Sequence, residues 1–210
     1  MVEIEQELKR ALEELRKDKE RKFDQTVDLI VNLQKFDARK ENVNFFINVP
    51  HKIKEKKICG FLTVKGKGVD TITEEEFRIY SDKKKLKNLE KRYDFFIAQA
   101  ILMPKVATTF GRVLGPSGKM PSPQLGIIPE ANEKLISELK DRINNSLKVR
   151  AKEASIKVGI GKQSMKDEEL IENMITVYNS LLKNLSKGID NIKNLELKFT
   201  MTKPQKIKLK

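Results

Sequence analysis

Three stretches of the chain carry residue types whose spacing could do chemistry. Residues 111–123 read Gly-Arg-Val-Leu-Gly-Pro-Ser-Gly-Lys-Met-Pro-Ser-Pro. Three glycines and three prolines in so short a run demand special backbone, and they read as a shaped loop, neither helix nor strand. The Gly118-Lys119 pair raises the question of a phosphate loop. That motif needs a glycine ahead of four spacer residues, then Gly-Lys, then a hydroxyl for magnesium. Val113 stands where the first glycine belongs and Met120 where the hydroxyl belongs. The spacing therefore favours a structural loop over nucleotide chemistry.

The other two stretches are polar strand ends. Lys22-Phe23-Asp24-Gln25-Thr26 offers a cation, an aromatic, an amide and a hydroxyl; Thr200-Met201-Thr202-Lys203 offers hydroxyls, a soft apolar group and a cation. Lysines meet phosphates, hydroxyls and amides meet 2′-OH groups, and Phe or Met packs on a ribose or base face. The competing reading places Phe23 in a core and Met201 in packing. Catalysis has little to build on. His51 is the only histidine and follows Pro50 among lysines, with no acid pair beside it in sequence. A hydrolase needs a nucleophile with an oriented base, so His51 reads as a hinge or surface residue. With Cys59 the only cysteine, neither a disulfide nor a tetrahedral metal site is available. No catalytic residue, metal or cofactor is expected.

The charge balance names the partner class. The chain of 210 residues has 43 Lys and Arg against 30 Asp and Glu, a net charge of +13. Clusters sit at Lys52, Lys54, Lys56 and Lys57, at Lys83, Lys84, Lys85 and Lys87, and in the acid-free tail at Lys203, Lys206, Lys208 and Lys210. Such an excess points to a polyanion, nucleic acid before anionic membrane. A charged, thermostable surface is the bland alternative. Residues 2–20 form a charged amphipathic pattern, not a signal segment, and no apolar run approaches the ~20 residues that span a bilayer. A cytoplasmic protein is expected.

These residues must be positioned by elements that change style along the chain. Ile4, Leu8, Leu12 and Leu15 have helical spacing over residues 2–20. Val27, Leu29, Val31 and Leu33 alternate with other residues, as do Val43, Phe45, Ile47 and Val49, so two half-buried strands follow. Residues 58–64 and 95–100 are near-continuous apolar runs, which suits strands buried on both faces. Short helical stretches lie between them, and helices over 104–114 and 132–143 follow. Alternation returns at Ile156, Val158 and Ile160. A long helix then carries Leu170, Met174, Val177, Leu181 and Leu185, with Ser164 and Asp167 at its start and Gly188 as its cap. Leu195, Leu197 and Phe199 mark another strand, and residues 206–210 a last basic one. The economical architecture is an α+β domain built from both chain ends, residues 1–53 and 146–210. A Rossmann-like three-layer α/β domain is inserted at 54–145. The crossings near 52–57 and 144–150 would form a hinge.

The motifs taken together resemble the ribosomal protein L-one family of the large-subunit lateral stalk, in its archaeal form. The resemblance rests on residues 111–123, with Gly111, Arg112, Gly115, Pro116, Gly118, Lys119, Met120 and Pro121 as its signature loop. It extends to Lys22-Phe-Asp-Gln-Thr26, Pro50-His51, Asp94-Phe-Phe-Ile-Ala-Gln-Ala100, Leu102-Met-Pro104, Gly161-Lys162 and Thr200-Met201. It implies a ribosomal protein without catalytic activity, monomeric when free. Its split domain binds large-subunit rRNA, the stalk contacts and helps release exit-site tRNA, and members repress their own mRNA. Carried over, the rRNA face comprises Lys22, Phe23 and Thr26; Gly161 and Lys162 in the turn before the long helix; and Asn194, Thr200, Met201 and Thr202. Lys148, Arg150 and Lys152 add phosphate contacts. Three positions depart from the family: Thr202 replaces a glycine, Ser117 an arginine and Lys52 a glycine. Without the resemblance two rivals stand: an enzyme binding a nucleotide or metabolite on the α/β insert, and a basic RNA chaperone acting through charge alone.

Overall fold

Strand β1 (Thr26–Leu33) turns Val27, Leu29, Val31 and Leu33 to one side, where all four are buried. Strand β8 (Ser155–Lys162) pairs antiparallel with one edge of β1 and β9 (Ile192–Phe199) with the other. A short β10 (Gln205–Ile207) extends the sheet beyond β9, in the order β10-β9-β1-β8. Helices α1 (Val2–Arg16) and α5 (Asp167–Asn184) cover the apolar face, sharing one core with Leu8, Leu12, Leu15, Leu170, Met174, Val177 and Leu181. The computed structural model describes residues 2–19, 21–38, 40–41, 43–65, 68–130, 132–151 and 153–207. Lys152, and residues 208–210 of the expected last strand, lie outside the described residues.

The chain divides into two compact units, Met1–Lys54 with Asn145–Lys210, and Glu55–Asn144. The first also contains a two-stranded antiparallel sheet of β2 (Asn44–Asn48) and β7 (Ser146–Arg150). Residues 146–150, expected within a crossing, are thus a strand, because pairing with β2 lets Val149 enter the core fully buried. His51 is no free hinge. Its backbone N–H donates to Asn173 Oδ1 at 3.0 Å, while Asn173 Nδ2 donates to the carbonyls of His51 and Ile160, both at 3.0 Å. Its ring nitrogen lies 2.7 Å from a Glu172 carboxylate oxygen.

The second unit is a parallel sheet ordered β4-β3-β5-β6, from β3 (Ile58–Phe61), β4 (Asp70–Ile72), β5 (Phe95–Gln99) and β6 (Ile127–Ile128). The apolar run at 58–64 ends as strand at Phe61, and Val64 is exposed. A 3-10 segment at Glu74–Ser81, α2 (Lys83–Arg92) and α3 (Met103–Ser117) pack Phe77, Leu86, Leu89, Val106 and Phe110 on Cys59, Phe61, Phe96 and Ala98. The residues between those on the strands, such as Ile58 and Ile97, are also buried, and so are Ile136 and Ile143 of α4 (Glu133–Asn144). The mixed α/β class expected from sequence is observed, with an antiparallel sheet in one unit and a parallel one in the other.

Local boundaries differ from expectation for identifiable reasons. Helix α1 ends at Arg16, not residue 20, because no apolar residue follows Leu15 until Phe23. Arg16 instead donates to Asp167 at 2.5 and 2.8 Å and to the carbonyls of Gln163 and Met165, both at 3.1 Å. Ser164 does not cap α5; its N–H and hydroxyl donate to Asp24, and Lys166 is the cap residue. Gly188 does not end α5 either. Buried Leu185 turns the chain out of the helix, and Gly188, at φ 54°, opens a later 3-10 turn.

The largest departure is at residues 111–123, where Gly111, Arg112, Gly115 and Pro116 are helical residues of α3. Pro116 falls in the last turn, and Gly115 before it has no Cβ to meet the proline ring. Gly118, at φ 74°, ends the helix by donating to Gly115 O (3.0 Å), while Lys119 N–H donates to Leu114 O (3.0 Å). This pair of bonds is a Schellman stop, and its left-handed residue favours glycine. Lys119 then sends its ammonium to the carbonyls of Glu90 (2.6 Å) and Tyr93 (3.0 Å) and to the Glu90 carboxylate (3.1 Å). A cation on the last carbonyls of α2 is favoured by the helix dipole.

Gly161 supplies the first prediction. A Cβ at that position would collide with the side chain of fully buried Leu170. Gly161→Ala should therefore destabilise the first unit by about 1–3 kcal/mol through overpacking, read by denaturant unfolding. Unchanged stability would show that α5 can shift off β8.

Candidate nucleic-acid interface

The start of β1 and the end of β9 meet beside the end of β8. Thr26 lies opposite Lys162, and the next residue, Val27, opposite Phe199. Thr26 N–H donates to Thr200 Oγ1 at 3.0 Å, and Lys162 Nζ donates to Thr26 Oγ1 at 3.1 Å. The register between β1 and β8 shifts after Val27: Val27 faces Gly161 while Asp28 faces Gly159. This bulge leaves Ile160 as the extra residue. It turns Gly161 inward, against Leu170, and leaves Lys162 beside Thr26. Gly161 and Lys162 therefore finish a strand and do not form the turn before α5. Of the two, only Lys162 reaches the surface cluster.

A buried amide holds the cluster together. Gln25 is 2% exposed. Its Oε1 accepts from Met201 N–H at 3.0 Å, its Nε2 donates to Gln163 Oε1 at 3.2 Å, and its carbonyl accepts from Gln163 N–H at 2.8 Å. The loops after β8 and β9 are thereby tied to the entry of β1. Asp24 completes the tie through Ser164, at 3.1 and 2.9 Å. Gln25, Asp24 and Gln163 were missed as site residues; the amide of Gln25 stood in the quoted motif, but nothing in sequence separates an inward amide from an outward one.

The apolar members face water. Phe23 is 51% exposed and Met201 58% exposed, which excludes the reading of either as core. Lys22 is exposed beside Phe23, and both line a cleft with Arg21, Asp24 and Gln163. Thr200 has a structural duty as well, since its hydroxyl accepts the Thr26 N–H. Thr202, where the family has glycine, turns its hydroxyl inward: Oγ1 accepts from Phe199 N–H at 2.9 Å, and Thr202 N–H donates to Phe199 O at 3.2 Å.

Other expected residues are placed elsewhere. Asn194 lies six positions before Thr200 on the same sheet, roughly 20 Å along the strand. Lys148 and Arg150 sit on β7, in the two-stranded sheet. The Lys148 ammonium lies 5.3 Å from the Phe46 ring centroid, and burial, helped by Arg150, pushes its pKa down.

Enzymatic alternatives lose their geometry. The Gly118-Lys119 pair follows the C-terminus of α3, whereas a phosphate cradle uses amides at a helix N-terminus. Lys119 is spent on carbonyls of its own unit. Cys59 is fully buried, and desolvation, with Asp70 adding to it, pushes its thiol up to about 12. The reactive thiolate is therefore withheld.

The model of the ribosomal protein L1p/L10e family matches residues 15–203. The chain belongs to this family. It is 35% identical to large ribosomal subunit protein uL1 of Nanoarchaeum equitans, over 96% of this chain and 97% of that protein. The uL1 protein of Thermococcus kodakarensis is 36% identical over 87% of this chain and 88% of its own, and that of Thermoplasma acidophilum 35% over 96% of each. An L1p/L10e member is a structural ribosomal protein, ribosome-bound in the cytoplasm, with RNA binding general to the family and no enzymatic activity. The archaeal relatives agree with the archaeal form expected from sequence.

Asp28 supplies a prediction on the same sheet. It lies opposite Lys198, and burial raises its carboxyl above the ordinary 3.8, with Lys198 and Lys162 opposing. A raised carboxyl favours the neutral form in the fold, so its stabilising contribution is present at low pH and lost as pH rises through the raised value. Asp28→Asn should raise the melting temperature at neutral pH, with the gain fading toward about pH 3. Thermal melts across that range check it. A gain independent of pH would point to amide packing instead.

Proposed function

We propose that the strand-end cluster of the first unit binds the lateral-stalk region of large-subunit rRNA. Lys22 and Lys162 meet phosphates, Thr26 and Thr200 meet 2′-OH groups, and Phe23 and Met201 pack on ribose or base faces. The single observation that carries this reading is the exposure of Phe23 and Met201, at 51% and 58%, among cations and hydroxyls at one end of the sheet. Membership of a ribosomal family supplies the RNA. Lys148 and Arg150 are secondary contacts at most, Gly161 acts through packing, and Asn194 lies away from the cluster.

Two finer roles rest on the family resemblance: assisting release of exit-site tRNA, and repressing the protein's own mRNA through a structure like the rRNA site. In this reading the inserted unit is a separate domain joined through the chain near 52–57 and 144–150. The split unit alone carries the stalk contact.

Filter binding of the isolated stalk RNA, with melting temperatures in parallel, tests the assignment. Phe23→Ala and Met201→Asp should each weaken binding about 5- to 150-fold, the 1–3 kcal/mol of a lost stack on a base. Thr200→Ala should lower both affinity and stability, because it also removes the acceptor of the Thr26 N–H. Lys119→Ala should leave affinity unchanged and cost the second unit about 1.5–3 kcal/mol in charged hydrogen bonds. Equal affinity losses at Met201 and Lys119 would overturn the site.

A further inference from the structure

Helix α2 reads Lys-Lys-Lys-Leu-Lys-Asn-Leu-Glu-Lys-Arg, six cations against one acid. Leu86 and Leu89 are buried, so Lys83, Lys84, Lys85, Lys87, Lys91 and Arg92 occupy its exposed side. The one acid, Glu90, turns to Lys119 at 3.1 Å. Among the described residues none of the six cations forms an ion pair. Arg92 lies over the Tyr93 ring, 5.4 Å from its centroid.

This arrangement opposes helix formation. Three lysines fill the first turn, at the positive end of the dipole, and no acid stands there. Lys83 with Lys87, and Lys87 with Lys91, are like charges four residues apart. The Asp82 cap, which accepts Lys84 N–H at 2.9 Å, and the two buried leucines hold the helix against that repulsion. A surface made charged only for solubility or heat resistance mixes its signs, as α1 does in the Arg10–Glu7 pair at 3.0 Å. A surface of one unpaired sign instead projects a field toward a polyanion.

We propose that α2 is a second docking face, on the inserted unit, for the phosphate backbone of a folded RNA. Lys84, Lys87 and Lys91 form a stripe at helical spacing that rises about 10 Å, enough to follow on the order of three phosphates of one strand. An anionic membrane is the other common polyanion. Helices that bind bilayers insert an apolar face beside their cations; both leucines of α2 are committed to its own core, so nothing remains to insert. The proposal stands apart from the strand-end site and does not depend on it.

The experiment uses the full chain with a labelled, short RNA duplex of mixed sequence, both alone and after saturation with unlabelled stalk RNA. The wild-type protein should bind the duplex in both states. The triple variant Lys84→Gln, Lys87→Gln, Lys91→Gln should lose about tenfold or more near 0.1 M salt, with the salt slope reduced by roughly 2–3. Its melting temperature should hold or rise, since like-charge repulsion is relieved. Met201→Asp serves as the cross-check: it should weaken stalk RNA and spare the duplex. Duplex binding and salt slope unchanged in the triple variant would overturn the proposal. So would a failure to bind the duplex, or capture by phosphatidylserine vesicles in preference to it. Loss of the Met201 effect alone would count against the strand-end site and leave the α2 comparison intact.

Discussion

Strand β1 is hydrogen-bonded on both edges by strands that lie more than a hundred residues further along the chain. The first unit depends on that double pairing. A buried strand cannot leave its amides and carbonyls unpaired, so β1 stays exposed to aggregation or disorder until β8 and β9 arrive. Closing so long a loop is entropically unfavourable, though the cost grows slowly with length. The fold reduces the problem by pairing β2 with β7. Asn48 lies opposite Ser146, and Val49 N–H donates to Asn145 O at 2.8 Å. The ninety-residue insertion, Glu55–Asn144, thus leaves and returns at neighbouring points of the first unit.

The strand-end cluster is a consequence of that pairing. The bulge between β1 and β8 carries Lys162 to Thr26, and the register with β9 carries Thr200 to the same end. Buried Gln25 then fixes the two loops that bear Gln163 and Met201. What remains at the surface is a preorganised set of cations, hydroxyls and two exposed apolar groups. The cations of α2 show the complementary tactic, charge without shape, on a helix whose apolar residues are already used.

Much of this was legible in the chain. Period-two alternation at Val27 to Leu33 and at Leu195 to Phe199 identified strands, because a half-buried strand must alternate. The stripe from Leu170 to Leu185 identified the long helix for the equivalent reason. Short parallel strands such as Asp70–Ile72 and Ile127–Ile128 left no signal, since two or three residues buried on both faces have no period. The run at 111–123 misled because glycine and proline punctuate sequence more strongly than they break a last helical turn.

The sequence by itself determined the family, the polyanionic partner class and the pair of strand-end motifs, all of which follow from residue type and order. Only the tertiary structure decided which members of those motifs face solvent. Phe23 and Met201 point to water while Gln25 is drawn inward by its bonds to Gln163 and Met201, and Gly161 faces Leu170. At the end of β8 a single bulge shifts the register, so that Gly161 faces Leu170 and Lys162 lies beside Thr26. No local rule records such a shift, because it arises from contacts between segments far apart in the chain.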